Sequence, residues 1–384
     1  MIIAFINVII IFDMQEKEIT LSKQIVRYVI YTLIVLGLTA LAFYLTIGKN
    51  ASSIFETLKS ANLWFVFMIF AILLACIILR SVAIFFLTKT YISKYSFHRA
   101  MAIDQVGVLY RMVTPAGLGG HVMEAYTYKK QGISLANAFS VLAMYSIIYQ
   151  IVLILYNLIT IIVKHNLVSE INYVNISFID TANVNVSLWL LVGIGFGINV
   201  LVIGFILLIS YWNGFYRFLD GPIGKLLAKV RIIKDIDAYH QKMLVARDSY
   251  RNNLKNIFKH WPTFIICFVV FFAYITLTYS VPFFAGLALS NASPYANFWD
   301  AVLLSNFHQM ITCIIPTPGN SLFSELFFLR LFYPSSGPSF FSSEEVARAS
   351  LLLWRSLVFI IPLFIACIWT IIYRPRKALD NGED

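Results

Sequence analysis

The sequence predicts an all-α polytopic membrane protein, with about six full transmembrane helices and two re-entrant hairpins set in an inverted repeat. Three observations carry that prediction. Several apolar runs reach about 20 residues, the length that crosses roughly 30 Å of hydrocarbon. Of 384 residues, 60% are hydrophobic and 12% charged, whereas a soluble domain carries roughly 25% charged residues. Two further apolar segments are interrupted midway by Pro and Gly. The long runs are continuous and do not alternate, which argues against the strands of a membrane barrel.

Taken in order, residues 1–24 form an N-terminal segment. Its apolar start, Met1–Phe12, is too short to span and has neither a basic n-region nor a cleavage site. Spans follow at Ile25–Ile47 and Leu63–Leu87. The segment Ala100–Gln131 breaks at Thr114-Pro115-Ala116-Gly117-Leu118-Gly119-Gly120. Ser134–Val163 spans without interruption, as does Leu188–Ile209. Residues 210–260 carry ten Lys/Arg against four Asp. Ile223, Leu226, Leu227 and Val230 recur there at helical spacing, which predicts one or two amphipathic helices on an anionic lipid surface. Trp261–Leu287 spans. Phe298–Phe332 is the second broken segment, interrupted at Pro316-Thr317-Pro318-Gly319-Asn320. Ala347–Tyr373 is the last span, and a basic tail follows, with 376–384 at its end.

The net charge of +10 is concentrated in a few loops. Lys and Arg collect on the cytoplasmic side, so 89–99, 129–130, 210–260 and the tail are expected there. The loops 165–187, 288–297 and 333–345, almost free of basic residues, are expected outside. Six spans and two hairpins satisfy both conditions, with both termini cytoplasmic. The two span–hairpin–span units then run in opposite directions, within halves of about 25–209 and 261–375. Paired Pro/Gly-interrupted segments in inverted halves point to a transport site near the midplane.

Arg80, Asp104, Arg111, Glu124, Glu325, Arg330 and Arg355 fall in apolar surroundings. Each costs about 2.5–3.5 kcal/mol at a helix centre, so they are expected to pair or to line a polar cavity. Glu124 and Glu325 each follow a break by one to two turns. Two arrangements are open: both face one shared cavity, or each is fixed in a salt bridge with Arg111 or Arg355. His308, two turns before the second break, reads first as a packing residue. Cys76, Cys267, Cys313 and Cys367 lie far apart in apolar segments, with no metal spacing or disulfide framework. No catalytic motif, metal site or cofactor motif is found, and no basic soluble module for nucleic acid. Gly119-Gly120 is a candidate for presenting backbone N–H groups to a lipid phosphate.

Thr114-Pro115…Gly119-Gly120, Lys129-Lys130-Gln131-Gly132-Ile133-Ser134, and Pro316-Thr317-Pro318-Gly319 followed by Glu325 resemble the transmembrane domain of the lysylphosphatidylglycerol synthase/flippase family (multiple peptide resistance factor-like). The resemblance covers about 25–375, which it makes a flippase-like domain. It implies a plasma-membrane translocator of aminoacylated phosphatidylglycerol, with no cofactor, an association with antibiotic resistance, and room for a homodimer. In relatives a cytoplasmic synthase domain follows. Here the chain stops at Asp384, so it resembles the translocator half, and lysyltransferase activity is not expected. The stretch Asn320-Ser321-Leu322-Phe323-Ser324 departs from the small residues usual in relatives, and His121-Val122 stands where they often have Gln and Pro.

The expected translocation residues are Arg111, Pro115, Gly119, Gly120, Glu124, Pro316, Pro318, Gly319, Glu325 and Arg355. The carboxylates would bind a cationic headgroup; the arginines and Gly119-Gly120 would hold its phosphate. The alternatives are an aminoacyl-lipid synthase and a secondary transporter of a small solute or polyisoprenoid-linked substrate.

Overall fold

In a computed structural model, the structure describes residues 51–114, 117, 119–175, 184–229, 235–237, 239–241, 243–244, 248, 252, 259–289, 297–315, 317, 319–335 and 337–373, with single positions between 33 and 44. The predicted first span lies largely outside the described residues. So do the segment 1–24, the tail 376–384, Pro115, Pro316 and Pro318.

Every other predicted span is a helix. We number them α1 (Ala51–Lys59), α2 (Leu63–Lys89), α3 (Phe97–Val113), α4 (Gly119–Lys130), α5 (Leu135–Val163), α6 (His165–Ile171), α7 (Leu188–Tyr211), α8 (Asn213–Phe218) and α9 (Gly224–Lys229). They continue with α10 (Trp261–Ala288), α11 (Phe298–Thr312), α12 (Phe323–Phe332), α13 (Glu344–Arg355) and α14 (Ile361–Ile372). Among the described residues, four helices are long and apolar enough to cross a membrane: α2, α5, α10 and the continuous run through α13 and α14. The apolar α7 occupies the predicted fourth span. The chain is a polytopic helical membrane protein.

Two short elements were not expected from the sequence. The polar stretch 48–62 contains the helix α1. The loop 165–187 contains α6 and an antiparallel pair, β1 (Tyr173–Asn175) and β2 (Asn185–Ser187), with Val174 opposite Val186. Strands of three residues are too short to carry a legible alternation.

Helix faces divide as a bilayer requires. On α2, Leu63, Trp64, Phe67, Phe70, Leu74 and Ile78 are exposed, while Ile69, Leu73, Cys76, Ile77 and Ile84 are buried. The exposed stripe would be a liability in water, but it suits hydrocarbon. Asn62 caps α2 by accepting from the Trp64 amide at 3.0 Å.

The loops gather at two ends of the molecule. At one end Asn62 N–H donates to the Ala288 carbonyl at 2.6 Å, Lys164 pairs with Asp300, and the loop at Gly337 rests against Ile171. At the other, Tyr95 Oη donates to Gln131 Oε1 at 2.9 Å, and Gln131 Nε2 donates to Tyr373 Oη at 3.0 Å. Tyr95 precedes α3 and Gln131 follows α4, so this helix pair leaves and returns at one end. The pair α11/α12 begins beside Lys164 and returns to Phe340, whose amide bonds the Phe332 carbonyl. It therefore leaves and returns at the opposite end, where Phe340 and Phe341 lie beside Gly286.

Candidate functional site

The first break is a turn closed on itself. α3 ends where Thr114 goes extended (φ −103°, ψ 147°), and Gly117 takes φ +67°, a region that costs other residues strain. Thr114 Oγ1 donates to the Tyr110 carbonyl at 2.6 Å and accepts the Gly119 amide at 2.9 Å. The Gly120 amide donates to the Gly117 carbonyl at 3.2 Å. Both amides expected to face a phosphate are thus engaged inside the turn. The cradle is closed in this conformation, because a broken helix must first satisfy its own backbone.

Above the turn stands a set of charges. Arg111 donates to Glu124 Oε1 at 2.7 Å, and His121 Nδ1 lies 2.6 Å from Glu124 Oε2. The carboxylate fits because α3 has Gly107 opposite it; a methyl group built there would collide with Glu124 Oε1. One layer away, Arg80 grips Asp104 through Nε–Oδ1 (2.9 Å) and Nη2–Oδ2 (3.2 Å), and Gln105 donates to the same carboxylate at 2.9 Å. Arg80 also lies over the Tyr274 ring. Arg80 is therefore half of an ion pair.

The second break is held from the last span. Gly319 (φ +60°), Asn320 (φ 51°) and Leu322 (φ 78°) all take left-handed backbone. Leu322, with ψ −57°, adopts a γ-turn conformation that is rare and strained for a branched residue. Arg355 donates to the Gly319 carbonyl at 2.9 Å and to Ser321 Oγ at 2.7 Å. Its Nε is 2.5 Å from Glu325 Oε1, and its guanidinium lies over the Phe359 ring at 4.0 Å. A single arginine thus satisfies the turn and neutralises the carboxylate. Just after it the helix widens into a π turn, Ser356–Ile360, a form frequent at functional sites. His308 Nε2 lies 2.8 Å from the Ser324 carbonyl and its ring packs edge-on against Trp354. It fastens α11 to α12, the packing role the sequence suggested.

Each glutamate is thus held by its own arginine. Of the two arrangements left open by the sequence, the paired one describes this conformation, and the carboxylates share no partner. The two breaks nevertheless meet. A methyl group on Gly319 would lie 3.3 Å from the Met112 carbonyl and 2.5 Å from the Phe359 ring, and Val113, Phe359 and Leu363 form one small apolar cluster. The two sites differ in access. The side chains of Arg111 and His121 are 33% and 45% exposed, those of Arg355 and Glu325 only 5% and 2%.

Gly107, Ser146 and Ser321 were not singled out from the sequence. A glycine inside the helical stretch before the first break was the one available signal for Gly107. Ser146 and Ser321 had none, since serine partners are set by tertiary contact.

A family model described as the lysylphosphatidylglycerol synthase TM region matches residues 24–375, nearly the whole chain. No curated protein matches the chain.

Proposed function

The chain belongs to the lysylphosphatidylglycerol synthase transmembrane-region family, and from that premise we propose that residues 24–375 translocate a phospholipid between leaflets. The lipid we propose is aminoacylated phosphatidylglycerol, in the plasma membrane, with both termini cytoplasmic. One observation supports the reading above others: two helix pairs that start from opposite ends bring their breaks together, Gly319 against Met112, and each has a Glu–Arg pair beside its break. Such paired carboxylates and guanidiniums suit a headgroup that carries ammonium groups and a phosphate. Charges this deep are tolerable only when paired or hydrated, so opening a pair requires a substitute of matching charge. A headgroup carrying both ammonium groups and a phosphate supplies one, while its acyl tails stay in lipid. Amphipathic basic helices in 210–260 would hold anionic lipid at the cytoplasmic surface.

The test is a leaflet assay in proteoliposomes containing labelled lysyl-phosphatidylglycerol. Transfer above that of protein-free vesicles is expected, with loss in Glu325→Gln protein that still folds. Equal rates with and without the protein overturn the proposal. A companion measurement addresses synthesis. Expression in a host without aminoacylated lipids should leave the lipid composition unchanged, and new lysyl- or alanyl-phosphatidylglycerol would support the synthase alternative.

A further inference from the structure

His121 has an environment that translocation of a headgroup does not by itself require. Its Nδ1 faces Glu124 Oε2 at 2.6 Å, and a carboxylate only accepts, so Nδ1 carries a proton. Its Nε2 lies 3.3 Å from Ser146 Oγ on α5. Ser146 has a second outlet for its own proton, the Leu142 carbonyl at 2.8 Å. When the hydroxyl points to Leu142, its oxygen is free to accept from a protonated Nε2. When it turns to Nε2, the ring is neutral. One serine hydroxyl thus has two positions, matched to the two charge states of one histidine.

The carboxylate that His121 touches is the one that holds Arg111. Glu124 is buried, and its two oxygens are divided between the guanidinium and the imidazole. With a neutral ring, Arg111 and Glu124 cancel. With a protonated ring, the trio carries one net positive charge, and Glu124 has a second cation to satisfy it. Arg111 Nε makes no hydrogen bond, and both cationic side chains are partly exposed while the carboxylate is not. The other ionisable groups facing the trio are Asp104 on α3, Arg80 on α2, Tyr128 on α4, and Tyr145 and Tyr149 on α5. Arg80 and Asp104 are committed to each other.

We propose that His121 is a proton-operated positioning residue, whose protonation loosens Glu124 from Arg111 and readies the guanidinium for an anionic phosphate group. The proton adds at Nε2 from solvent, the Ser146 hydroxyl turns to Leu142, and the Nδ1–H bond to Glu124 becomes an ion pair. Anion binding at this site therefore takes up a proton and strengthens as pH falls. This inference rests on the reading of Arg111 as a phosphate-binding residue.

The experiment is calorimetric titration of the detergent-solubilised chain with short-chain phosphatidylglycerol, at about pH 5.5 and about pH 7.5, values that bracket the titration of free imidazole. Buffers of differing ionisation enthalpy report proton uptake. The wild-type chain is expected to bind several-fold tighter at the lower pH, with net proton uptake. His121→Gln, which keeps an amide donor for Glu124 but cannot titrate, should lose both effects. Ser146→Ala, which removes the acceptor for the charged ring, should reduce the pH dependence of binding while leaving binding at the higher pH unchanged. A His121→Gln chain that still takes up protons, or a wild-type affinity independent of pH, overturns the proposal. Inorganic sulfate, an anion that does not titrate between these pH values, is the second titrant: linkage with the lipid alone assigns the anion to a headgroup, and linkage with sulfate alone assigns it to a free ion. Linkage without leaflet transfer keeps this site and sinks the translocator reading; transfer without linkage does the reverse.

Discussion

Glu325 and Arg355 are shut away from water, and that decides what replacing either one does. Removing one partner of a buried pair leaves an uncompensated charge, at a cost of about 3–5 kcal/mol. Glu325→Gln alone should therefore lower thermal stability by an amount of that order as well as reduce transfer. The double change Glu325→Leu with Arg355→Met removes both charges, and a cavity-filling apolar pair often restores stability. Its expected phenotype is a melting temperature closer to wild type with transfer still absent. A double variant that regains transfer would show that the charges only hold the fold. Gly107→Ala is a sharper perturbation at the first site. The added methyl falls on Glu124 Oε1, so the Arg111–Glu124 pair must open, and a destabilisation of about 1–3 kcal/mol is expected from overpacking alone. Chemical or thermal unfolding in detergent checks both.

Among the elements, the hairpins carry the most testable geometry. Val113 at the end of α3 and Leu363 on α14 belong to one cluster beside Gly319. Cysteines placed at both positions, in a chain whose four native cysteines are replaced, should cross-link with a short bifunctional reagent and stop transfer. Cross-linked protein that transfers at an unchanged rate would mean that the tips need not part. The helices and their breaks were legible in the sequence because apolar length and Pro/Gly punctuation are local signals: Leu63–Leu87 became α2, and the first break falls between α3 and α4. The pairing was not legible. Arg355 joins Glu325 from the next span, and Ser146 reaches His121 from the next helix, contacts fixed only by packing. Nor did a leucine announce left-handed backbone. Leu322→Gly should relieve strain of order 1 kcal/mol or more and raise thermal stability.

At the scale of the whole molecule, the charge pattern of the loops matches the way contacts sort them. Tyr95, Gln131 and Tyr373 join the basic loops at one end, while Asn62, Lys164, Asp300 and Gly337 mark the other. Given the positive-inside tendency, a cysteine placed at Lys242 should react only with reagents that enter the cell, and one at Asn175 with impermeant reagents outside. External labelling at Lys242 would reverse the scheme and with it the orientation of both hairpins. The contact between Gly319 and the Met112 carbonyl also has a meaning for the membrane as an insulator. The Arg111–Glu124 and Arg355–Glu325 pairs stand on either side of this contact, and the Phe359 ring packs against it. A cell that energises its membrane cannot tolerate a wire of water there. Vesicles containing the wild-type chain should therefore hold a proton gradient as long as empty ones do. Gly319→Val, which forces the contact apart, should make them leak.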